Sequence, residues 1–404
     1  MTVASLRFFN LSEPMVPMFR DLFPALLDDG YEVEVVLSRS SYRSGWGVEP
    51  LRAAVPGVSI VVTPGASSQF SGIPGARLIS ICAYWVLASL RIVFGRSVDA
   101  NVFLTQPPCF FGLGLKLGRL RNERSVVIVM DDHPRAMAAS GAMSSSSLLF
   151  RLLDQLTNSA LRAADVVIAI GRCMEALLPM RGVDPERIRV IQNWIDDSAV
   201  RRQNRESNVV RETYGWHDDT FVVMYGGNIG HAQRFDELLT VADRLDPSEG
   251  IVIVVNGAGS DAAQVRSAVD ATACGMSVDF LHERFELSDV LAAADVHFIT
   301  LREEWTGLGV PSKLYSAMAA GRPAIFQGSP NSEVAIVLAE HGIGIVVPSN
   351  DADSLLAAVR AYARDPERCT REGCEARRVT DTGFGARHGV DRYRLVFRDL
   401  RKGI

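Results

Sequence analysis

Residues 221–230 read FVVMYGGNIG, and this stretch indicates the fold class. Phe221–Tyr225 is a short, continuous apolar run, which is typical of a strand buried on both faces of a parallel sheet. The glycines after it predict a tight turn towards a helix that starts near Gln233. Such a turn lets backbone N–H groups approach an anion, so Gly227 and Asn228 are candidate phosphate-binding residues; a plain glycine turn has the same pattern.

Strand and helix patterns alternate along both halves of the chain. In the first half, the predicted strands are Glu32–Leu37, Ser59–Val62, Asn101–Thr105, Val126–Met130 and Val166–Ile170. In the second half, they are Phe221–Tyr225, Ile251–Val255, Val278–Leu281, Val296–Thr300, Pro323–Phe326 and Gly344–Val347. Helical patterns separate these runs, so we expect an α/β fold with two doubly wound Rossmann-like domains.

The domain boundary is predicted from a change in composition. Arg201–Glu212 is polar and highly charged and has no apolar period, so we expect it to link the two domains. The N-terminal domain is predicted to span residues 1–200 and to receive a C-terminal helix formed by residues 384–404. The C-terminal domain is predicted to span residues 208–383. The apolar side chains expected on the packing face of the terminal helix are Tyr393, Leu395, Val396, Phe397 and Leu400.

Overall composition narrows the class of protein. The chain has 404 residues, of which 48% are hydrophobic and 22% charged, as in ordinary globular proteins. The net charge of −5 argues against a nucleic-acid partner. Six cysteines without a CxxC pair are expected to be reduced thiols of a cytoplasmic protein. The first residues, MTVASLRFFN, lack the pattern of a signal peptide.

Two predicted helices of the first half are rich in apolar residues. Leu148–Leu161 has an apolar period near 3.6 and follows a serine run, Ser144–Ser147, that we expect to form a loop and an N-cap. Leu78–Gly95 is the most apolar run, but Arg91 interrupts it and it is too short to span a bilayer. It is predicted to be a buried helix or a helix that lies at the inner membrane surface; both remain open from the sequence.

A second candidate phosphate site precedes the strand at Pro323. Gly307–Gly309 is a loop of small residues, and Ser312 and Lys313 follow at a predicted helix start. Lys313 can place a mobile ammonium group on a diphosphate, although a surface lysine fits the pattern equally well. Arg234, near the helix after the first glycine loop, is another candidate cation for the same group.

In the first half, Asp131 and His133 directly follow a predicted strand. Residues at the carboxyl ends of strands line the ligand crevice of an open α/β sheet. A carboxylate and an imidazole there suit sugar hydroxyl groups or proton transfer, whereas a structural turn explains the Asp and Pro residues as well.

Two further motifs are weak. Gly257–Gly259 lies between a strand and a helix, but a complete GxGxxG is missing, so a tight turn is as good an explanation as a dinucleotide site. Asp351 and Asp353 resemble a metal-binding DxD motif, yet they stand directly before a helix and are better explained as caps. We therefore predict no metal site.

Taken together, the chain resembles the retaining glycosyltransferases of sequence family four, in which two Rossmann-like domains face each other across a cleft (GT-B type). Within that family it is most similar to the branch of colanic-acid and O-antigen sugar transferases. The segments that carry the resemblance are Thr105–Pro108, Asp131–Gly141, Ala164–Gly171, Ile191–Asp196, Gly226–Gly230, Ala293–His297, Val310–Tyr315 and Gly321–Pro323.

The resemblance implies an activity and its partners. The C-terminal domain would bind a nucleoside-diphosphate sugar of the uridine or guanosine type, and the N-terminal domain would hold a sugar, lipid-linked or small-molecule acceptor. Transfer would keep the anomeric configuration and would need no metal, no protein nucleophile and no other cofactor. The implied catalytic residues are Asp131, His133 and Lys313. The implied donor-binding residues are Gly227, Asn228, Arg234, Gly257, Phe285, Gly309, Val310, Pro311, Ser312 and Tyr315.

The chain departs from the family pattern at several positions. Many relatives carry two glutamates where this sequence has Leu308 and Ser316, and an Arg and a Lys where it has Asn228 and Gln233. A glycine pair expected near the first strand is replaced around Met15. These losses leave two alternatives open: an epimerase or hydrolase of sugar nucleotides on the same scaffold, and a non-catalytic relative.

Overall fold

The structure is a computed structural model. It describes residues 4–10, 16–38, 48–63, 76–105, 110–195, 200, 205–271, 276–279, 281 and 284–402. The chain forms two compact units. Unit 1 comprises Met1–Gln192, Gly307–Gly309 and Ala386–Ile404, and unit 2 comprises Asn193–Thr306 and Val310–Gly385.

Each unit contains one sheet in which every strand pair is parallel. The strands of unit 1 are β1 (Ser5–Asn10), β2 (Glu32–Ser38), β3 (Ser59–Thr63), β4 (Ala100–Leu104), β5 (Arg124–Val129), β6 (Val166–Ala169) and β7 (Ile188–Val190), in the order β3-β2-β1-β4-β5-β6-β7. Those of unit 2 are β8 (Phe221–Gly226), β9 (Ile251–Asn256), β10 (Met276–Asp279), β11 (Val296–Thr300), β12 (Ala324–Gln327) and β13 (Gly344–Val347), in the order β10-β9-β8-β11-β12-β13. Both orders are doubly wound, which confirms the predicted fold class.

Helices connect the strands of both sheets. In unit 1 they are α1 (Val16–Asp28), α2 (Val48–Ala54), α3 (Ala76–Phe94), α4 (Phe110–Leu120), α5 (Arg135–Ala139), α6 (Leu148–Ala163) and α7 (Arg172–Glu175). In unit 2 they are α8 (Val209–Tyr214), α9 (Asp236–Asp243), α10 (Ala262–Ala271), α11 (Leu287–Ala293), α12 (Lys313–Ala319), α13 (Glu333–His341), α14 (Ala352–Ala363) and α15 (Pro366–Val379). The last helix, α16 (Ala386–Lys402), belongs to unit 1.

Two strands of unit 1 have no counterpart among the predicted strands. β1 lies inside the sheet, between β2 and β4, although its sequence contains Arg7. The side chain of Arg7 is fully buried and forms an ion pair with Glu34 on β2, so its charge is compensated inside the protein. β7 is an edge strand of three residues with an exposed Arg189, which is too short for an apolar pattern.

The predicted linker over Arg201–Glu212 is wrong in its second half. Residues 201–204 lie outside the described part, but α8 begins at Val209 with Asn208 as its N-cap. The Asn208 side chain accepts hydrogen bonds from two backbone N–H groups of the first turn, and Arg211 is buried against Asp295. The helix cap and the buried ion pair therefore stabilise α8, although its sequence has no apolar period.

The C-terminal helix returns to the first unit, as predicted. α16 packs against α1, and the rings of Phe397 and Phe8 meet edge to face at 5.9 Å. Arg124 donates a hydrogen bond of 2.7 Å to the carbonyl oxygen of Leu400. Leu395, which we expected on the packing face, is instead exposed, because the helix buries the side that carries Tyr393, Val396, Phe397 and Leu400.

Two predicted helix caps are confirmed. The Ser147 side chain accepts a hydrogen bond from the backbone N–H of Phe150 at 3.1 Å, at the start of α6. Asp351 accepts one from the backbone N–H of Ser354 at 2.9 Å, at the start of α14, which explains half of the DxD pattern. Asp353 forms an ion pair of 2.7 Å with Arg244.

The apolar run predicted at Leu78–Gly95 forms α3, which is buried only on one side. Tyr84, Ala88 and Ile92 are fully buried, whereas Val86, Leu90 and Phe94 are exposed. No helix within the described ranges is long and apolar enough to cross a membrane.

Candidate functional site

Two glycine loops pack backbone to backbone at the carboxyl ends of β8 and β9. The backbone N–H of Gly227 donates a hydrogen bond of 2.8 Å to the carbonyl oxygen of Asn256. A Cβ at position 257 would lie 1.8 Å from the carbonyl oxygen of Gly227, and one at position 259 would lie 2.1 Å from that of Ile229. Only glycine permits this approach, so Gly257 and Gly259 fix the shape of the loop at Gly227.

Lys313 lies across these two loops, which we call the glycine platform (Gly227, Gly257 and Gly259). It is the first residue of α12, and its half-buried side chain runs so close to Gly227 that a Cβ there would be 2.9 Å from Cε. Its Nζ is 5.0 Å from the ring centroid of Tyr225. Within the described residues Lys313 has no hydrogen bond or ion pair. Burial lowers the pKa of the Lys313 ammonium group to about 8.

The first glycine loop is held by Tyr225. Its hydroxyl group donates to the carbonyl oxygen of Asn228, whose side chain lies at an exposed position. The loop leads into α9 later than predicted, since the helix begins at Asp236 with Phe235 as N-cap. Acidic residues occupy the first turn of α9, so its dipole already has a negative partner.

Arg234 lies before α9 and is engaged by its neighbours. Its Nε is 2.9 Å from an oxygen of Asp236 and 3.2 Å from one of Glu237, and it donates to the side-chain oxygen of Asn350. It lines a pocket of about 150 Å³ at the carboxyl ends of β11 and β12. The other lining residues are Glu237, Thr300, Leu301, Arg302, Glu303, Glu304, Gln327, Ser349 and Asn350. No described contact joins Arg234 to Lys313.

The remaining candidate donor residues of unit 2 have diverse surroundings. Ser312 is exposed and Pro311 half-buried, directly before Lys313. Val310 packs on a core cluster, and Tyr315 is buried in the same cluster, where its ring stacks on Phe384 at 6.2 Å. Phe285 packs near Tyr214 beside β8 and β9. Tyr315 and Phe285 therefore contribute to packing in unit 2, and their donor contacts stay predictions.

In unit 1, Asp131 and His133 follow β5 at the carboxyl edge of the sheet. The hydroxyl group of Thr105 donates to the carbonyl oxygen of Asp131 at 2.9 Å. The loop segment with Gly309 belongs to the same unit, and a Cβ at Gly309 would lie 2.9 Å from Oδ1 of Asp131. The backbone N–H of Asp132 donates to the carbonyl oxygen of Leu308 at 2.8 Å.

A buried ion-pair network supports this turn. Arg181 forms a charge-assisted hydrogen bond with Asp132, and both side chains are almost fully buried. Arg181 also lies 3.3 Å from Asp154, which Arg135 contacts at 3.0 Å. Burial raises the pKa of the Asp132 carboxyl group, and Arg181 partly offsets that rise.

His133 is held as a neutral imidazole. Its Nδ1 is buried and has no hydrogen-bond partner in the described part of the chain. Burial lowers the pKa of His133, against the opposing effect of Asp131 and Asp132.

The sequence patterns of two families match consecutive parts of the chain. That of the glycosyl transferase 4-like domain matches residues 15–194, and that of glycosyl transferases group 1 matches residues 207–379. Both halves of the chain thus match glycosyltransferase families, which confirms the resemblance to glycosyltransferases inferred from the motifs.

Individual relatives agree with this assignment. WbjE of Pseudomonas aeruginosa, named as a probable glycosyltransferase, is 30% identical over 65% of this chain and 64% of its own length, just under two thirds of that relative. WcaI of Escherichia coli K12, named for colanic acid biosynthesis, is 24% identical over 68% of this chain and 69% of its own. The structure of HepE from Anabaena, in complex with UDP-glucose, covers 98% of this chain and 99% of its own, with a TM-score of 0.72 and 15% identity, and supports the fold.

The structure brings only some of the candidate site residues of this chain together. Lys313, Gly227 and Gly257 form one group in unit 2, whereas Asp131, His133 and Gly309 form another in unit 1. No group of three His, Cys, Asp or Glu side chains with metal-binding geometry occurs among the residues that the structure describes. The motif residues Gln106–Pro108, Met15 and Asp196 lie outside that part.

Sequence reasoning missed two features of these groups. Arg181 is 49 residues from Asp132, and no local pattern links the pair. The ring of Tyr225 was assigned only to a strand, although it faces Lys313 and holds the loop at Asn228. An aromatic residue directly before a glycine loop is the one signal that could have indicated its position.

Proposed function

We propose that this glycosyltransferase moves a sugar from a uridine or guanosine diphosphate sugar to an acceptor, with retention of the anomeric configuration and without a metal ion. The observation that carries the proposal is the placement of Lys313 over the glycine platform. The ammonium group of Lys313, which has no acidic partner among the described residues, lies beside two loops whose backbones pack closely together. Such a place fits a diphosphate group.

The chemistry requires charge stabilisation on the leaving group. When the bond between the sugar C1 and the phosphate oxygen breaks, the diphosphate gains negative charge. Lys313 then interacts more strongly with the transition state than with the bound donor, and this difference is what accelerates a reaction. The lowered pKa of Lys313 rises again when a diphosphate binds, because an opposite charge favours the ammonium form.

The anomeric configuration is retained because the acceptor attacks the sugar on the same face from which the leaving group departs. The acceptor oxygen forms the new bond to C1 on that face, and the acceptor proton goes to an oxygen of the leaving diphosphate. This route needs no protein nucleophile. Front-side substitution is the usual proposal for the family that the motifs resemble, and the lysine supplies the positive charge that a metal ion supplies elsewhere.

In unit 1, Asp131 and His133 are proposed to bind sugar hydroxyl groups. The imidazole of His133 can bind a hydroxyl group through a ring nitrogen, and the carboxylate of Asp131 can accept a hydrogen bond. Both would act as catalytic residues through contact with the reacting sugars. The name of WcaI leads us to propose an intermediate of a bacterial polysaccharide, carried on a lipid, as the acceptor.

A donor panel tests the proposal. The purified chain is incubated with UDP- and GDP-sugars, and released nucleotide and products are measured by mass spectrometry, in buffer with EDTA. We expect release from donors of one base, slow hydrolysis without acceptor, and loss of release in Lys313→Ala but not in the control Lys402→Ala. An acceptor sugar is then added, and NMR of the glycoside formed reads its anomeric configuration, since a hydrolysed sugar would mutarotate. No release from any donor, an inverted product or dependence on added metal would each contradict the proposal.

A further inference from the structure

Exposed apolar side chains are concentrated on three helices of unit 1. Of the sixteen large apolar side chains that are exposed in the described part of the chain, twelve lie on α3, α4 and α6. On α6, Leu148, Leu152 and Leu156 recur every fourth residue and so form one stripe. An apolar stripe with this period usually packs into a protein core, but on α6 the stripe faces outward.

The three helices form one continuous layer. α4 packs between α3 and α6, and a Cβ at Gly112 of α4 would lie 3.3 Å from Cβ of Ala160 on α6. After α4, Arg121 donates to the carbonyl oxygen of Val93 at 2.6 Å. The exposed residues of the three helices therefore share one surface, which we call the leucine-rich face.

The charges of this layer are mainly positive. The described basic side chains on the three helices are Arg91, which forms an ion pair with Glu34, and Lys116, Arg119, Arg151 and Arg162. The sequences of α3 and α4 contain no Asp or Glu, and the single acid of α6, Asp154, is paired with Arg135 and Arg181. The whole chain has a net charge of −5, so this positive balance is local.

We propose that the leucine-rich face binds the surface of an anionic lipid bilayer. Apolar side chains of an interfacial helix enter the boundary between headgroups and acyl chains, while Lys and Arg attract anionic headgroups. A second copy of the chain fits less well, because a two-fold contact through this face would bring basic residues against basic residues. A protein of this charge pattern that lies on a bilayer needs no spanning helix.

The inference is independent of the sugar-transfer chemistry. The leucine-rich face and the glycine platform are in different units of the chain. Lipid binding can therefore be measured without donor or acceptor, and its failure would leave the proposed transfer activity untouched. A failure of the donor panel would likewise leave lipid binding to be measured.

Co-sedimentation with vesicles tests the face. Vesicles of phosphatidylethanolamine with one third phosphatidylglycerol are compared with neutral phosphatidylcholine vesicles, at low and high salt. We expect binding to the anionic vesicles only, and weaker binding at high salt because ions screen the attraction. Absence of binding to anionic vesicles at low salt would overturn the proposal.

Matched double variants locate the contact. Leu152→Gln with Leu156→Gln should lower the vesicle partition coefficient by roughly tenfold or more, since two leucines no longer enter the interface. The control is Leu287→Gln with Leu395→Gln, at two leucines that are each 47% exposed, the same value as Leu156, but lie on α11 and α16. We expect the control to bind within about twofold of the unchanged chain.

A second pair tests the competing basic surface. α16 carries Arg398 and Arg401 beside Leu395, in a groove of about 460 Å³. We expect Lys116→Gln with Arg151→Gln to weaken binding severalfold, and Arg398→Gln with Arg401→Gln to leave it unchanged. The reverse result would place the lipid on α16 and overturn the proposal. Light scattering without vesicles should show a monomer; a dimer that the Leu152 and Leu156 changes dissociate would assign the face to a second copy instead.

Discussion

The carboxyl edges of the two sheets use charge in different ways. In unit 1, the acidic Asp132 is buried and its charge is neutralised by Arg181, so the ion pair holds the shape of the turn at His133. In unit 2, Lys313 is half-buried over glycine backbone and an aromatic ring, without a counter-ion in the described ranges. At the edge in unit 1, the charges pair with each other and stabilise the turn. At the edge in unit 2, one cation remains available to bind a ligand.

The largest effect is expected from breaking the network of unit 1. Arg181→Met removes the partner of a buried carboxylate and should lower the free energy of unfolding by about 3–5 kcal/mol. Denaturant unfolding measures this, and Arg151→Met, at an exposed position of α6, is the control with little change. A loss below about 1 kcal/mol for Arg181→Met would show that the pair does not hold the turn.

The glycine platform gives the next largest effect. Gly257→Ala places a Cβ 1.8 Å from the carbonyl oxygen of Gly227, so the two loops must separate. We expect a loss of about 1–3 kcal/mol in unfolding free energy and a raised KM for the donor. A Cβ at Gly226 meets no atom within 4 Å, so Gly226→Ala is the matched control. Equal behaviour of the two variants would refute a platform that depends on close backbone packing.

A pH dependence follows from the lowered pKa of Lys313. The ammonium form prevails below about pH 8 in the free protein, and the neutral form prevails above it. Donor affinity should therefore fall as the pH rises above 8, by up to about tenfold per pH unit, because the diphosphate binds the charged form. In Lys313→Arg the side chain stays charged, so any donor binding that remains should be flat between pH 7 and 9. A flat profile in the unchanged chain would separate Lys313 from the diphosphate.

The smallest effect is expected from chelation. EDTA should change the transfer rate by less than about twofold, because the proposed charge stabilisation comes from a side chain. Complete loss of activity in EDTA, restored by manganese or magnesium, would assign that task to a metal ion and weaken the role of Lys313.

Most of the fold could be predicted because its strands are buried on both faces. β8 and the part of β5 from Val126 onwards are continuous apolar runs, and such runs can be recognised without knowledge of the neighbouring strands. β1 could not be found in this way, since Arg7 lies in the middle of its sequence and is tolerated through partners that are distant along the chain, such as Glu34, 27 residues away. The helical period of α6 indicated an apolar side but not whether that side faces protein or solvent.

The sequence indicated individual residues of the candidate site, but not how these residues contact one another. Glycines after a strand and a lysine after a loop indicated phosphate chemistry at Gly227 and Lys313. Their contact depends on Tyr225 and Gly257, which come from two different strands and their loops. For Arg234 the sequence suggested a free cation, whereas the structure surrounds it with Asp236 and Glu237.

The central claim is that Lys313 stabilises the departing diphosphate, and transfer rates at saturating donor test it most directly. Lys313→Ala should lower kcat by roughly 10²–10³-fold, the scale for removing one preorganised charge-stabilising group, with an unchanged circular dichroism spectrum. Arg234→Ala should lower it less, because its acidic neighbours already engage that guanidinium group. Near-full activity of Lys313→Ala together with a loss in Arg234→Ala would contradict the account and move the phosphate site to the pocket at Arg234.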